Sequence, residues 1–159
     1  MKGYISGLHH LAVCVHDLAK AKEFYGQQLG LEELPRPEDV AEQFESAWYL
    51  LGNAELHVVE NKAFKPLAAQ PAPHFAVVPD DFPATVARLE NSGVQFAFGP
   101  AKGPDGVERV VVVDPTGNIV EIAIIFRSER MTMGDGHEPT QALFDHCKRS
   151  GILAGKFRD

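Results

Sequence analysis

The sequence predicts an α+β fold: two βαβββ modules that together curve a sheet around a cavity, followed by a C-terminal helical extension. Three observations carry this expectation. The strand-like segment His10-Leu11-Ala12-Val13 returns as His74-Phe75-Ala76-Val77. Seven residues after each histidine comes an aspartate with an apolar follower, Asp17-Leu18 and Asp81-Phe82. Forty-seven residues after each histidine comes a second side chain with lone pairs to offer, His57 and Glu121. A repeat at fixed spacing marks two copies of one supersecondary unit.

The first unit opens with a strand from about Leu8 to Val15, whose alternation puts His10, Ala12 and Cys14 on one face and Leu11, Val13 and Val15 on the other. Asp17 is placed to cap a helix running to about Gln28, with Leu18, Ala21, Phe24, Tyr25 and Leu29 as its apolar stripe and Gly30 as its stop. A connection rich in Pro and Glu (Glu33 to Glu42) leaves the second strand poorly defined. Two more strands are expected at Ala47–Leu51 and Glu55–Val59, turning at Gly52-Asn53.

The second unit comes after a linker rich in Ala and Pro. Its strand runs His74–Val78, and Asp81 caps a helix with Phe82, Val86 and Leu89 on one side, ended by Ser92-Gly93. Strands are expected near Val94–Phe98, Val110–Val113 and Ile119–Phe126, with Asp114-Pro115-Thr116-Gly117-Asn118 as a tight turn. The glycine-rich stretch Gly99 to Gly106 lacks phosphate-loop spacing and reads as a mobile loop. Beyond the repeat, Pro139 precedes a short helix from about Thr140 to Ser150. Residues 1–126 thus form one domain, with module one at about 1–61, a linker at 62–73 and module two at about 74–126; 127–159 is the C-terminal extension.

Composition narrows the function classes. A net charge of −7, from 15 basic and 22 acidic residues with no basic run, argues against a nucleic-acid or anionic-membrane partner. Cys14 and Cys147 are the only cysteines, with no CxxC pair, and read as reduced thiols. No signal peptide is apparent after Met1 and no apolar run approaches the ~20 residues that cross a bilayer. The expectation is a cytoplasmic protein.

Strand parity points to chemistry. In His10-x-Ala12, His74-x-Ala76 and Glu121-x-Ala123 the polar residue shares its face with an alanine, while Leu11, Phe75 and Ile122 face the helices. Small alanines beside polar groups fill a core poorly but leave room for an ion and a substrate. His57 has Glu55 and Val59 as face neighbours and fits this pattern less neatly. Imidazole and carboxylate together bind Zn, Ni, Mn, Co or Fe, so one divalent metal ion per site is expected at His10, His57, His74 and Glu121. His57 is alternatively a general base. His9, His16, His137 and His146 have no repeat partner and read as non-ligands, with His9 placed to support a ligand. Trp48, Phe96 and Phe98 read as core or cavity wall, and Arg109 and Lys102 as solvated surface cations.

These motifs resemble the glyoxalase / bleomycin-resistance / extradiol-dioxygenase superfamily, the vicinal oxygen chelate group. The matching stretches are Leu8 to Val13, Phe24-Tyr25 with Leu29-Gly30-Leu31, Glu55 to Glu60, His74 to Val77, and Asp114 to Ile122. The resemblance implies paired βαβββ modules around a metal cavity, with His10, His74 and Glu121 at the family's two histidines and final carboxylate. His57 stands where glyoxalase I enzymes carry glutamate and related epimerases glutamine; divergent glyoxalase-like members keep a histidine there.

Motifs and resemblance together imply a metal-dependent lyase or isomerase acting on a small carbonyl or thiol-conjugated metabolite. The metal would polarise a carbonyl while Glu121 or His57 moves a proton between adjacent carbons. Three rivals remain: an Fe(II) ring-cleaving dioxygenase on the two-histidine, one-carboxylate set, a metal-free antibiotic-sequestering protein, and a fosfomycin-type thiol transferase. The last is ranked lower because Ala12 and Val111 stand where those enzymes carry threonine and tyrosine. A small-molecule substrate and a homodimer are the expected partners. Whether the modules pair within one chain or between subunits is open.

Overall fold

The computed structural model describes residues 7–41, 43–67, 73–103 and 105–124. The predicted C-terminal extension, with its helix, Cys147, His137 and His146, lies outside these residues, as does the expected end of the last strand at Ile125 and Phe126.

Each module folds as β-α-β-β-β. In the first, β1 (His10–Val15) leads to α1 (Leu18–Lys22), then β2 (Glu33–Leu34), a short α2 (Glu38–Ala41), β3 (Ser46–Leu51) and β4 (Ala54–Glu60). In the second, β5 (His74–Val77), α3 (Phe82–Asn91), β6 (Phe96–Lys102), β7 (Glu108–Val113) and β8 (Ile119–Ala123) succeed one another. The strands form two four-stranded sheets, ordered β1-β4-β3-β2 and β5-β8-β7-β6. The outer pairs β1/β4 and β5/β8 are parallel and the rest antiparallel. This is a correction to the single curved sheet expected from sequence: among the described residues β1 and β5 are both edge strands, and neither pairs with the other module.

The repeat holds at the level of register. His10 pairs with Glu55 and Ala12 with His57; sixty-four residues on (74 − 10 and 121 − 57 are both 64), His74 pairs with Ile119 and Ala76 with Glu121. Helix starts repeat too. Asp17 accepts from the Lys20 amide and Asp81 from the Ala84 amide, both from extended backbone, which satisfies a free donor of each first turn.

After Lys22 the first helix widens into π turns over Glu23–Gln28. The Leu29 amide reaches back five residues to the Phe24 carbonyl at 2.8 Å. The wider turn lets two successive aromatics, Phe24 and Tyr25, both point inward, their rings edge-to-face at 5.0 Å. Leu56, Val58, Leu89, Val110, Val112, Val120 and Ile122 join them in one core formed from the sheet faces opposite the histidines.

Two expectations for the second module change. The stretch from Gly99 is no mobile loop at its start: Gly99 to Lys102 continue β6, with register shifts against β7. Gly99 has φ +80, and a Cβ there would collide with the Arg109 carbonyl, so only glycine lets the bent strand lie this close to its neighbour. Arg109 is no surface cation either; its side chain is 13% exposed.

The modules are tied together by the Asp114 turn. Asp114, 4% exposed, accepts the Tyr25 hydroxyl at 2.9 Å from the other module. Asn118 Nδ2 donates to the Cys14 carbonyl and the His16 amide to Thr116 Oγ1, each at 2.9 Å.

Burial, then the facing Asp114 carboxylate, pushes the Tyr25 phenol far above its ordinary value. Burial, then the Glu33 charge, pushes Tyr49 up to about 12. A raised phenol pKa means the native state keeps a proton that the unfolded chain sheds near pH ~10. The stabilisation is therefore intact below that pH and lost above it, by about 1.4 kcal/mol per pH unit for each such tyrosine. The Tyr49 hydroxyl has no hydrogen-bond partner among the described residues. Tyr49→Phe is thus expected to be within about 1 kcal/mol of neutral at pH 7 and to flatten the alkaline slope by one tyrosine's share. Urea titrations at several alkaline pH values check this; an unchanged slope would refute it.

Candidate functional site

On sheet one, strand pairing sets Ala12, His57 and Trp48 in one row and His10, Glu55 and Leu50 in the next. Side chains in directly paired positions share a face, so the imidazoles meet. The His57 ring lies flat between two others: Trp48 at 4.0 Å with planes 5° apart, and His10 at 4.4 Å with planes 9° apart. His57 Nε2 is 2.8 Å from Glu55 Oε2. A carboxylate can only accept, so Nε2 carries the hydrogen and donates it. That hydrogen bond is the largest influence holding the Glu55 carboxyl below its ordinary range. His9 Nδ1 lies 2.8 Å from His10 Nδ1, so that contact does not engage His10 Nε2. His16 instead meets the Phe64 carbonyl, away from the cluster.

Sheet two carries the equivalent row Ala76, Glu121, Val111. His74 Nε2 stands 3.6 Å from Glu121 Oε2. Arg109 Nη1 reaches the other oxygen, Glu121 Oε1, at 3.2 Å, and its Nη2 pairs with Asp105. Arg109 Nε is buried with no partner among the described residues. A guanidinium fixed by two carboxylates in this way orients Glu121.

The structure thus pairs His10 with His57 and His74 with Glu121. It does not bring the four together: among the described residues, no three His, Cys, Asp or Glu side chains converge as a metal-holding group. A concavity of ≈ 470 Å³ lies between Leu29–Leu31, Leu50–Gly52 and the β5/α3 side of module two, and none of the four lines it. Among the described residues the expected four-residue metal cavity is not formed; its candidate residues stand as two separate pairs.

Sequence reading missed three contributors. Glu55 was legible by parity, two residues before His57 on the same strand face. Trp48 was assigned to a wall without its ring partner. The Arg109–Asp105–Glu121 chain was hidden because Asp105 sits in a turn whose fold-back no periodicity encodes.

The strand order and the duplicated register define a paired-βαβββ protein. The chain belongs to the Glyoxalase/Bleomycin resistance protein/Dioxygenase superfamily, which residues 7–122 match. Among solved structures it is similar to a Bacillus anthracis protein described as a glyoxalase family member: 30% identity, TM-score 0.67, covering 78% of this chain and 98% of that one. It shares its fold with a lactoylglutathione lyase from Agrobacterium tumefaciens, at 22% identity and TM-score 0.58 over 77% of this chain and 96% of that one. A glyoxalase/bleomycin resistance protein/dioxygenase from Alicyclobacillus acidocaldarius aligns at 20% identity and TM-score 0.63, covering 79% and 96%. No curated protein matches the chain. Among the described residues no helix is long and apolar enough to cross a membrane.

Proposed function

We propose that this protein is a divalent-metal-dependent enzyme of glyoxalase type, a lyase or isomerase acting in the cytoplasm on a small carbonyl or thiol-conjugated metabolite. The observation that carries this is the register. Two sheets, sixty-four residues apart in sequence, each set metal-capable side chains beside an alanine on the face turned away from the core. Packing needs no such duplication of polar residues.

The donor chemistry fits an ion of the Zn, Ni, Mn, Co or Fe type. His10 offers Nε2, His57 offers Nδ1, His74 offers its imidazole, and Glu121 offers a carboxylate oriented by Arg109. Each half-site supplies two donors, and an ion of this kind takes at least three protein ligands. Two copies of the chain, pairing sheet one of one with sheet two of the other, complete the set. The enzyme is on this reading a homodimer.

A bound ion would act as a Lewis acid on a substrate oxygen. The chain's own residues do the rest. Ala12 and Ala76 leave room above the rows. Arg109 holds Glu121 in place. Glu121 and His57 are the groups placed to take a proton from one carbon and return it to the next.

Elemental analysis of protein purified without a chelating tag tests the reading. Near-stoichiometric Zn, Ni, Mn or Co is expected, and His74→Ala or Glu121→Ala should weaken metal affinity at least ~100-fold. Bound Fe(II) with catechol turnover would move the assignment to a ring-cleaving dioxygenase. A protein that is metal-free, and whose ligand binding neither substitution alters, would sink the metal-enzyme reading.

A further inference from the structure

The concavity of ≈ 470 Å³ takes no part in the proposed site. We infer that it is the docking groove for segment 140–150 of the same chain, which seats Leu143, Phe144 and Cys147 on its apolar floor. This docking is independent of the metal-enzyme reading.

Strand parity places the groove behind the sheets. Phe75, Val77 and Ile122 line it, and they alternate with His74, Ala76 and Glu121, which take the other face. Leu29, Leu31 and Leu51 complete the floor. With Phe75 and Val77 they pack on the core from one side and stay only partly buried. Val78 beside them is exposed. Apolar surface gathered in one hollow marks a place that another group covers.

The exit of the chain identifies that group. β8 runs parallel to β5 with Ile122 opposite Val77, so Ile124 comes out beside the wall formed by Val78 and Pro79. Ile124 shares the face of Ile122 and packs on the same core. Thirty-five residues follow it. The stretch from Ile124 to Thr140 spans up to about 55 Å, so the groove is well within reach. So short a tether holds the segment at an effective concentration on the order of mM, and modest apolar contacts then suffice.

Composition selects the segment. Cys147 stands four residues from Leu143 and three from Phe144, the spacing of one helix face. Lys148 and Arg149 follow that face, and Asp80 and Asp81, both exposed, edge the groove. The charges are complementary on a larger scale too. Residues 127–159 carry six basic and five acidic side chains, a net +1, which leaves −8 on residues 1–126 of a chain whose net charge is −7. An acidic body attracts a segment with a basic end and repels a small anionic metabolite.

Paramagnetic relaxation in the full chain tests the docking. Cys14→Ser and Cys147→Ala remove the native thiols, and a nitroxide is attached at Ala142→Cys, which helical spacing sets opposite the apolar face. The amides of Leu31, Leu51, Val78 and Ala84 should broaden. Adding Phe144→Asp should abolish that broadening, because an unpaired carboxylate is costly to seat on an apolar floor. Nile red, a neutral apolar dye, should bind Phe144→Asp at least ~3-fold more tightly than wild type, since its groove is then open. Mixing nitroxide-bearing chains with ¹⁵N-labelled chains that carry none should leave these amides sharp. Broadening in that mixture would seat a second copy's segment in the groove and overturn docking within one chain. Broadening confined to other surfaces, no broadening at all, or equal Nile red binding by the two proteins would overturn it as well.

Discussion

Asp114→Ala is expected to destabilise the protein by about 4 kcal/mol, a large share of the roughly 5–15 kcal/mol that a domain usually has. One buried carboxylate is the acceptor for five donors. Oδ1 takes the amides of Thr116, Gly117 and Asn118 at 2.8–2.9 Å. Oδ2 takes the Tyr25 hydroxyl at 2.9 Å and Asn118 Nδ2 at 2.7 Å. Truncation removes the charge but leaves the Thr116 and Asn118 amides and a phenol facing a space without an acceptor, while the Gly117 amide keeps the Asp114 main-chain carbonyl at 3.0 Å. A buried donor left unpaired costs more than a hydrogen bond contributes on average. The damage extends past the turn, because Asn118 and Thr116 hold the first module through Cys14 and His16.

Urea unfolding should show the midpoint of Asp114→Ala lowered by about 2 M, taking a slope near 2 kcal/mol/M. Tyr25→Phe loses one of the five bonds and should cost about 1–2 kcal/mol. A loss below about 1 kcal/mol for Asp114→Ala would show that water replaces the carboxylate, and that the modules are joined by the apolar core alone. An aspartate in an Asp-Pro-Thr-Gly-Asn turn invites assignment as a catalytic acid. Its five bonds and near-complete burial give it a structural task instead.

Faces were legible in the sequence and distances were not. Strand alternation needs only a period of two, so His10, Ala12, His57, Glu121 and their apolar counterparts were assigned to the correct sides from sequence alone. The caps at Asp17 and Asp81 were equally readable, since an aspartate ahead of an amphipathic run has one obvious task. What failed depended on tertiary context. The π turns after Lys22 are set by where Tyr25 must reach, which is Asp114, eighty-nine residues away. β2 has only two residues and no pattern to show. Arg109 was read as exposed because charged side chains usually are, yet two carboxylates from a turn and a neighbouring strand draw it inward. The question the sequence left open has the same origin. A repeat specifies two equal half-sites but says nothing of which half-sites face each other.

That question is open to a mixing experiment with a large expected effect. If sheet one of one copy faces sheet two of the other, a dimer holds two sites, each built from His10 and His57 of one chain and His74 and Glu121 of the other. His10→Ala and Glu121→Ala homodimers should then both lack metal, since every site in either has lost a donor. In a hybrid dimer the two lesions fall together in one site, and the second site is wholly wild type. Equal mixing with free exchange makes about half the dimers hybrid, each with one good site of two, so about a quarter of wild-type metal content should return on mixing two inactive proteins. If the halves instead close on each other within one chain, every chain carries a lesion in its own site and mixing recovers nothing. Among the described residues no three His, Cys, Asp or Glu side chains of one chain converge, so a one-chain site would require the two pairs to move together. The two-chain site would also explain an otherwise wasteful feature: exposed His10 and His74 at sheet edges, with Leu50, Phe98 and Val113 left 40–46% exposed on the same faces. Apolar surface around polar ligands is the composition of a face that is covered in the working assembly.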